Sequence, residues 1–311
     1  MEAHIPVLLH EAVDSLSVKP DGIYVDLTLG RAGHSSLILS KLTSGHLYGF
    51  DLDELAIEES RKKLEAIKPS SFTLIRSSFA SLKQTLHQRG VTQVDGILAD
   101  LGVSSPQFDD PSRGFSYRFD ARLDMRMDTS SPFSAYDVVN TYDERQLANV
   151  LYEYGDEPDA RRIAQKICKA RVEKPIETTF ELVDIIKSAK PAKVLAKKGH
   201  PAKQAFQALR IEVNGELSAL KTMLLDAPTM LKSGGRLSII TFMSLDDRVV
   251  KTAFHRLSVV EGSRHGIALL PKEVQTAEFT TLTRKPILPS EQELADNPRA
   301  ASAKLRVLIK K

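Results

Sequence analysis

Tryptophan is absent from this 311-residue chain, and cysteine occurs once, at Cys168. A single thiol excludes an internal disulfide and cannot by itself build a thiolate metal cluster. Cys168 falls inside a helical pattern and reads as a buried structural thiol. The eight histidines show no ligand spacing, so no metal site is expected. Long apolar runs are missing too: nothing approaches the roughly eighteen consecutive apolar residues that a membrane-spanning helix requires. The opening segment MEAHIPVLLHEAV carries Glu2 and Glu11, with neither a basic leader nor a small-residue cleavage site. Together with the lone cysteine, that leads to the expectation of a cytoplasmic protein. No Gly-Lys-Ser/Thr sequence occurs, which argues against a loop cradling a nucleoside triphosphate. Internal repeats and low-complexity tracts are also lacking.

What is present is enough apolar residue, 42%, for a globular chain with a real core. The net charge is only +3, but it is unevenly spread. Residues 160–204 hold twelve Lys and Arg against four acids, a local charge of +8 that leaves −5 for the remainder. Such a concentration fits a nucleic-acid footprint and a solvated helical surface equally well.

Short apolar runs at Ile23–Leu27, His46–Phe50, Phe72–Ile75 and Val94–Leu98 read as strands, with helical patterns through 37–42 and 53–67 between them. In the second helix, Leu55, Ala56, Leu64 and Ile67 are the candidates for its buried face. This alternation predicts βαβ units and a mostly parallel sheet. After Gln107 it stops, and helical patterns follow at Glu144–Leu151, Ala160–Ala170 and Phe180–Ala189. A turn at Lys232-Ser233-Gly234-Gly235-Arg236 precedes strand candidates Leu237–Phe242, Phe279–Thr283 and Leu305–Ile309. The expected organisation is therefore an α/β domain, residues 1–110 and 213–311, interrupted by a helical insertion over 111–212 that carries the basic stretch.

Three acids, Asp26, Asp51 and Asp100, fall near predicted strand ends, where open α/β sheets bind ligands. Gly30 and Gly33 lie between the first strand and the next helix, where glycine can take positive φ and admit a ligand to the backbone. Asp51 follows Gly30 by twenty-one residues, in position to accept both hydroxyls of a ribose. The pattern points to a nucleoside-bearing ligand. NAD stays open as a rival, but Gly30-x-x-Gly33 departs from the spacing of a pyrophosphate turn. Asp26 also adds negative charge that suits the amine and sulfonium of S-adenosylmethionine better.

Longer motifs sharpen the choice: Asp95-Gly96-Ile97-Leu98, Asp100-Leu101-Gly102-Val103-Ser104-Ser105-Pro106-Gln107, Arg113-Gly114-Phe115-Ser116, Leu123-Asp124-Met125-Arg126-Met127-Asp128, Phe206-Gln207-Ala208-Leu209-Arg210-Ile211 and Val213-Asn214. With His4-Ile5-Pro6-Val7-Leu8-Leu9 at one end and Ala303-Lys304-Leu305-Arg306 at the other, the chain resembles the ribosomal RNA small subunit methyltransferase H family, also called MraW, over essentially its whole length. The resemblance implies a class I, Rossmann-like fold and S-adenosyl-L-methionine as cofactor. It implies methyl transfer to N4 of a cytidine in the decoding region of 16S rRNA, with the small ribosomal subunit as partner. It places cofactor contacts at Ala32, Gly33, His34, Asp51, Phe79, Asp100 and Gln107, with the loop 32–34 at the methionine moiety, Asp51 at the ribose and Phe79 on the adenine face. No catalytic base is assigned; Asp100 or a backbone carbonyl within 101–105 is expected to accept an N–H of the target amine. Arg113, Arg126 and the 160–204 stretch are expected at RNA phosphates.

Four positions depart from the family pattern. Ala32 replaces a usual glycine, Met243 a usual histidine, Asp156 a usual glutamate and Ala301 a common arginine. The first and second favour an alternative, a non-catalytic RNA-binding or ribosome-assembly factor of the same fold. A nicotinamide oxidoreductase is the third reading.

Overall fold

The computed structural model describes residues 6–102, 110–259 and 276–311. The chain forms two compact units, Met1–Gly102 with Ser218–Lys311, and Val103–Leu217.

The first unit opens with α1 (Leu9–Ser15) and then alternates β1 (Ile23–Asp26), α2 (Gly33–Lys41), β2 (His46–Asp51), α3 (Glu54–Glu65), β3 (Phe72–Arg76), α4 (Leu82–His87) and β4 (Val94–Asp100). The second unit holds α5 (Ala135–Thr141), α6 (Glu144–Gly155), α7 (Ala160–Glu173), α8 (Thr179–Ala189), α9 (Ala192–Leu195) and α10 (Lys203–Asn214). The division falls inside α11 (Glu216–Asp226), after which come β5 (Leu231–Thr241), α12 (Ser244–Ser258), β6 (Phe279–Thr281), α13 (Glu291–Asp296) and β7 (Lys304–Lys310).

The sheet runs β3-β2-β1-β4-β5-β7-β6, with β1 to β5 parallel and β7 antiparallel to both neighbours. Helical crossovers link β1 to β2 and β2 to β3, as parallel pairing demands. The order reverses between β1 and β4, which makes the carboxyl ends of these two strands the switch point. This is the class I, Rossmann-like arrangement expected from the sequence. Side chains alternate across the sheet. Tyr24, Leu47 and Leu98 pack with α1, α2 and α3 on one face, while Val25, Ile97 and Ala99 pack with α4, α11 and α12 on the other. Burial on both faces explains why β4 reads as a nearly continuous apolar run. Gly96 on that strand is obligatory, because a Cβ there would lie 2.8 Å from the ring of fully buried Tyr24.

Two local expectations need correction. In α3 the buried residues are Ile57, Ser60 and Leu64, whereas Leu55 is 63% and Ile67 42% exposed. Asp53 caps the helix through the N–H of Leu55, and the inward stripe then falls at 57, 60 and 64, with a serine where apolar periodicity looks for a leucine. The Lys232–Arg236 turn is a bulge within β5 rather than a break before it. Val94 pairs with Leu231 and Gly96 with Arg236, so four residues stand opposite Asp95 alone.

The second unit is all helical apart from one isolated bridge, Arg122 with Thr178, among the described residues. Leu147, Leu151, Ile163, Ile167, Leu182 and Ile186 are among its core residues. Capping boxes start α6 (Asp143 with Gln146) and α8 (Thr178 with Glu181), and Gly215, at φ 58°, ends α10. Cys168 is half-buried against this core rather than fully enclosed, and burial still pushes its thiol pKa up. Asp156 sits at the left-handed C-cap of α6, φ 49°, a conformation that short polar side chains tolerate better than glutamate does. Nothing in the structure explains Ala301.

Candidate active site

Strand register brings the three acids to one rim. Asp26 is level with Gly49 on β2 and Leu98 on β4, so Asp51 and Asp100 each stand two residues further out, about 6–7 Å along the strands. Asp26 is buried, and its carboxylate accepts from the Thr28 N–H (3.1 Å) and the Ser35 hydroxyl (2.6 Å). Burial nevertheless raises its pKa. Asp51 accepts from the N–H of Gly30 (2.8 Å) and of Asp53 (2.9 Å), and burial pushes its pKa up to about 6.

Asp100 is the least satisfied of the three. Its backbone N–H donates to the Thr28 hydroxyl at 2.6 Å, but its buried Oδ1 has no hydrogen-bond partner among the described residues. Its Oδ2 is 4.0 Å from Nδ1 of His34. Burial drives its pKa up to about 6, with His34 opposing the rise and Asp26 adding to it. His34 is itself buried, and its Nε2 lies 3.0 Å from the carbonyl of Val7. A carbonyl only accepts, so Nε2 carries the hydrogen and Nδ1 is the atom turned to Asp100.

The loop between β1 and α2 is tied down at several points. Gly30, at φ +50°, donates to Asp51 and accepts from the Ser60 hydroxyl (2.8 Å), while Leu29 N–H donates to Phe50 O. At Gly33 a Cβ would lie 2.2 Å from the Pro6 ring, so the close approach requiring glycine there is to Pro6. Ala32 is buried at φ +53°, which accounts for the glycine the family usually places there. The left-handed conformation costs alanine about 1–2 kcal/mol, whereas its buried methyl contributes about 0.8 kcal/mol. Ala32→Gly is therefore expected to change stability by less than about 1 kcal/mol in thermal melts. A loss above 2 kcal/mol would show that the methyl, not the backbone, decides this position.

Phe79 opens a half-buried 3₁₀ turn after β3, and the neighbouring Ser77 N–H donates to the Asp51 carbonyl at 3.0 Å. Gln107 lies outside the described residues. Met243 is half-buried between β5 and α12, close in sequence to Asp247, which Arg306 (2.7 Å) and Lys304 (3.3 Å) pin to β7. Asp95, although in a family motif, sits at the opposite end of β4, where it accepts from Ile23 N–H (3.0 Å) and Lys232 Nζ (2.7 Å). Its role there is to tie strand starts together. Sequence reading did not single out Thr28, Ser35 or Ser60. Ser35, two residues into α2, was findable as a hydroxyl just past the glycine turn; Ser60 left no signal.

The rim thus combines three buried or half-buried carboxylates, a glycine turn and an orphaned acceptor at a switch point. Lone pairs of Asp51 beyond its two backbone bonds suit ribose hydroxyls. The concentrated negative charge suits an amine or sulfonium and opposes a pyrophosphate. S-adenosylmethionine fits this donor set.

In the second unit, several expected phosphate ligands have internal work. Arg126 holds Asp124 through two contacts (2.8 and 2.6 Å) and also donates to the carbonyl of Ser131 (2.6 Å). Asn214 pins the same segment, donating to Met125 O (2.8 Å) and accepting from Met127 N–H (2.7 Å). Arg113 donates to the carbonyls of Arg126 and Met127. Within the basic stretch, Lys190 is buried on Glu157, Lys174 pairs with Glu181, and Arg171 donates to the carbonyls of Val139 and Tyr142. Exposed cations with no ion pair among the described residues include Lys166, Lys169, Lys193, Lys197, Lys198 and Lys203.

The sequence profile of the MraW methylase family matches residues 1–311. The chain is 52% identical over 306 residues to the ribosomal RNA small subunit methyltransferase H of Limosilactobacillus fermentum, covering 98% of this chain and 97% of that one. To the enzyme of the same name from Streptococcus dysgalactiae subsp. equisimilis it is 53% identical over 309 residues, 99% of this chain and 97% of that one. The same name is carried by a relative from Exiguobacterium sibiricum, 52% identical over 310 residues, 100% of this chain and 99% of that one. The chain belongs to the MraW methylase family, whose methyl donor is S-adenosylmethionine.

Proposed function

We propose that the chain transfers a methyl group from S-adenosylmethionine to N4 of a cytidine in the decoding region of 16S rRNA, and that the second unit holds the RNA. The observation that carries the chemistry is the buried Oδ1 of Asp100, without a hydrogen-bond partner among the described residues, beside Asp26 at the switch point. The small-subunit rRNA substrate follows from the names of the cited relatives, ribosomal RNA small subunit methyltransferase H; N4 of a decoding-region cytidine is what the resemblance of the sequence motifs implies.

In this reading Asp51 takes the ribose, the backbone of Ala32, Gly33 and His34 takes the methionine moiety, and Phe79 packs on the adenine, with Gln107 as a further contact. When bound, the cofactor supplies an electrophilic methyl on a sulfonium. The protein aligns the two reactants, an effect on the order of 7–11 kcal/mol in favourable cases. The amino group of cytosine is a poor nucleophile because its lone pair is delocalised into the ring. The Asp100 carboxylate accepts one N–H, which exposes that lone pair, and takes the proton as the C–N bond forms. Nδ1 of His34 lies 4.0 Å from Oδ2 of that carboxylate, within electrostatic reach but beyond a hydrogen bond. The base must leave its stack to reach this rim, which favours an unpaired or flipped cytidine.

The test is methyl incorporation from labelled cofactor into small subunits of a strain lacking the enzyme, with the modified nucleotide mapped by digestion and mass spectrometry. Label on N4 of a decoding-region cytidine is expected. Cofactor binding without incorporation would instead favour the assembly-factor reading, to which Ala32 and Met243 lend weight. Calorimetry that detects NAD rather than S-adenosylmethionine would overturn both. Replacing Lys197, Lys198 and Lys203 by alanine is expected to lower the slope of log affinity against log salt by about 2. An unchanged slope would remove these lysines from the RNA path.

A further inference from the structure

We infer that the second unit carries a stacking platform for unpaired RNA bases, built from Tyr117, Phe119, Phe180 and His200 and flanked by Arg118 and Lys187. The inference rests on the reading of that unit as the RNA-holding part.

Phe119 and Phe180 are 46% and 43% exposed, although aromatic rings contribute most when buried. Their backbones are locked side by side. The Thr179 hydroxyl donates to Phe119 O at 2.7 Å and accepts from Ala121 N–H at 3.0 Å, while Phe180 N–H donates to Asp120 Oδ1 at 3.2 Å. Two exposed rings carried on neighbouring, tied-down backbone differ from apolar residues scattered singly over a surface.

A second ring pair includes Tyr117, two residues before Phe119. Tyr117 and His200 stack with centroids 4.2 Å apart and planes 10° off parallel, and buried Phe206 meets Tyr117 edge-on at 5.7 Å. Nδ1 of His200 accepts the Ala202 N–H at 3.2 Å, so the hydrogen is on Nε2 and the ring is a neutral plate. Burial, then the charges of Lys187 and Arg118, hold its pKa down, so both cations act on the plate electrostatically. Arg118 is exposed with no ion pair among the described residues, and Lys187 reaches Asp184 only loosely, at 3.8 Å, with both side chains largely in solvent. Phe180 and Lys187 are seven residues apart on α8 and share a face.

Flat rings alternating with cations match what a single strand offers, base faces and phosphates. A duplex presents the phosphates but hides the faces, so the platform prefers unpaired RNA. An acidic peptide offers charge without flat partners.

The experiment is anisotropy binding of the full chain to a single-stranded oligoribonucleotide and to an RNA duplex of equal length, across a salt series. Phe119→Ala with Phe180→Ala, both on solvent-facing rings, is checked for an unchanged melting temperature. The double variant is expected to lose about tenfold or more on the single strand with the salt slope unchanged, and to bind duplex as before. Phe119→Tyr should keep wild-type affinity. Equal single-strand affinity in the double variant, equal losses on strand and duplex, or competition by polyglutamate as strong as by RNA would each overturn the platform. Those outcomes leave the RNA reading standing. If the unmodified protein binds neither RNA, that reading fails and the platform with it.

Discussion

Replacing Asp100 by asparagine is expected to slow methyl transfer and, at neutral pH, to stabilise the protein. The amide keeps the size of the carboxylate but cannot take a proton from the nucleophile. A general base typically contributes about 10²- to 10⁴-fold, so a loss of at least 10²-fold in single-turnover rate is expected. The stability effect has the opposite sign because the native fold holds this acid unfavourably. Its folded pKa of about 6 exceeds the ordinary 3.8, so the native state binds more protons than the unfolded chain between those values. Wild-type stability therefore falls as pH rises from about 4 to about 6, and stays lower above that. Two units of pKa correspond to about 3 kcal/mol. The side chain is 25% exposed, so solvent screening trims this to roughly 1–3 kcal/mol.

In thermal melts the variant should gain several degrees at pH 7 and almost nothing at pH 4. Asp51, raised to the same range, remains in the variant and leaves part of the pH dependence in place. A rate loss below about fivefold would remove Asp100 from proton transfer. A stability gain that did not depend on pH would show that burial of the charge is not its source. On the proposed reading of Asp100, function competes with stability at one carboxylate, as is common where an active site must hold an unsatisfied group.

The rim was legible in the sequence because parallel sheets write it in plain form. Apolar runs ending in Asp26, Asp51 and Asp100 fix which acids share an edge, since every strand of a parallel set ends at the same side. What holds those acids was not legible. The Ser35 hydroxyl on Asp26 and the Thr28 hydroxyl on the Asp100 N–H depend on strand register and helix phase, which apolar spacing leaves undetermined. Ser60 shows the reverse effect: its bond to the Gly30 carbonyl puts a polar residue on the inward stripe of α3 and moved the expected face onto Leu55 and Ile67. Gly33 illustrates a third limit. A glycine's presence announces a close approach but not its partner, and here the partner is Pro6. Charge counting failed differently, because a sum over residues 160–204 gives every lysine equal weight, and Lys190 is not on the surface.

Lys190 leads to the largest expected loss of stability. Its Nζ lies 2.7 Å from both carboxylate oxygens of Glu157, and the side chains are 3% and 0% exposed. Glu157 follows the C-cap of α6 and also accepts the Asp159 N–H (3.2 Å) ahead of α7, while Lys190 is the C-cap of α8. The pair therefore ties the α6–α7 corner to the end of a third helix, and both charges are shut off from bulk solvent. Removing one partner leaves the other buried and uncompensated, a loss of about 3–5 kcal/mol. Lys190→Ala and Glu157→Ala should each lower the melting temperature of the second unit by roughly 10 °C or more. Removing both together, as Lys190→Met with Glu157→Leu, avoids the stranded charge and refills the volume. That double variant is expected to melt within a few degrees of wild type, far from the sum of the single losses. Single losses below about 1 kcal/mol would mean that water or a rearranged side chain satisfies the remaining charge. A double variant as unstable as the singles would mean that the hydrogen bond of Glu157 to Asp159, rather than the ion pair, holds the corner.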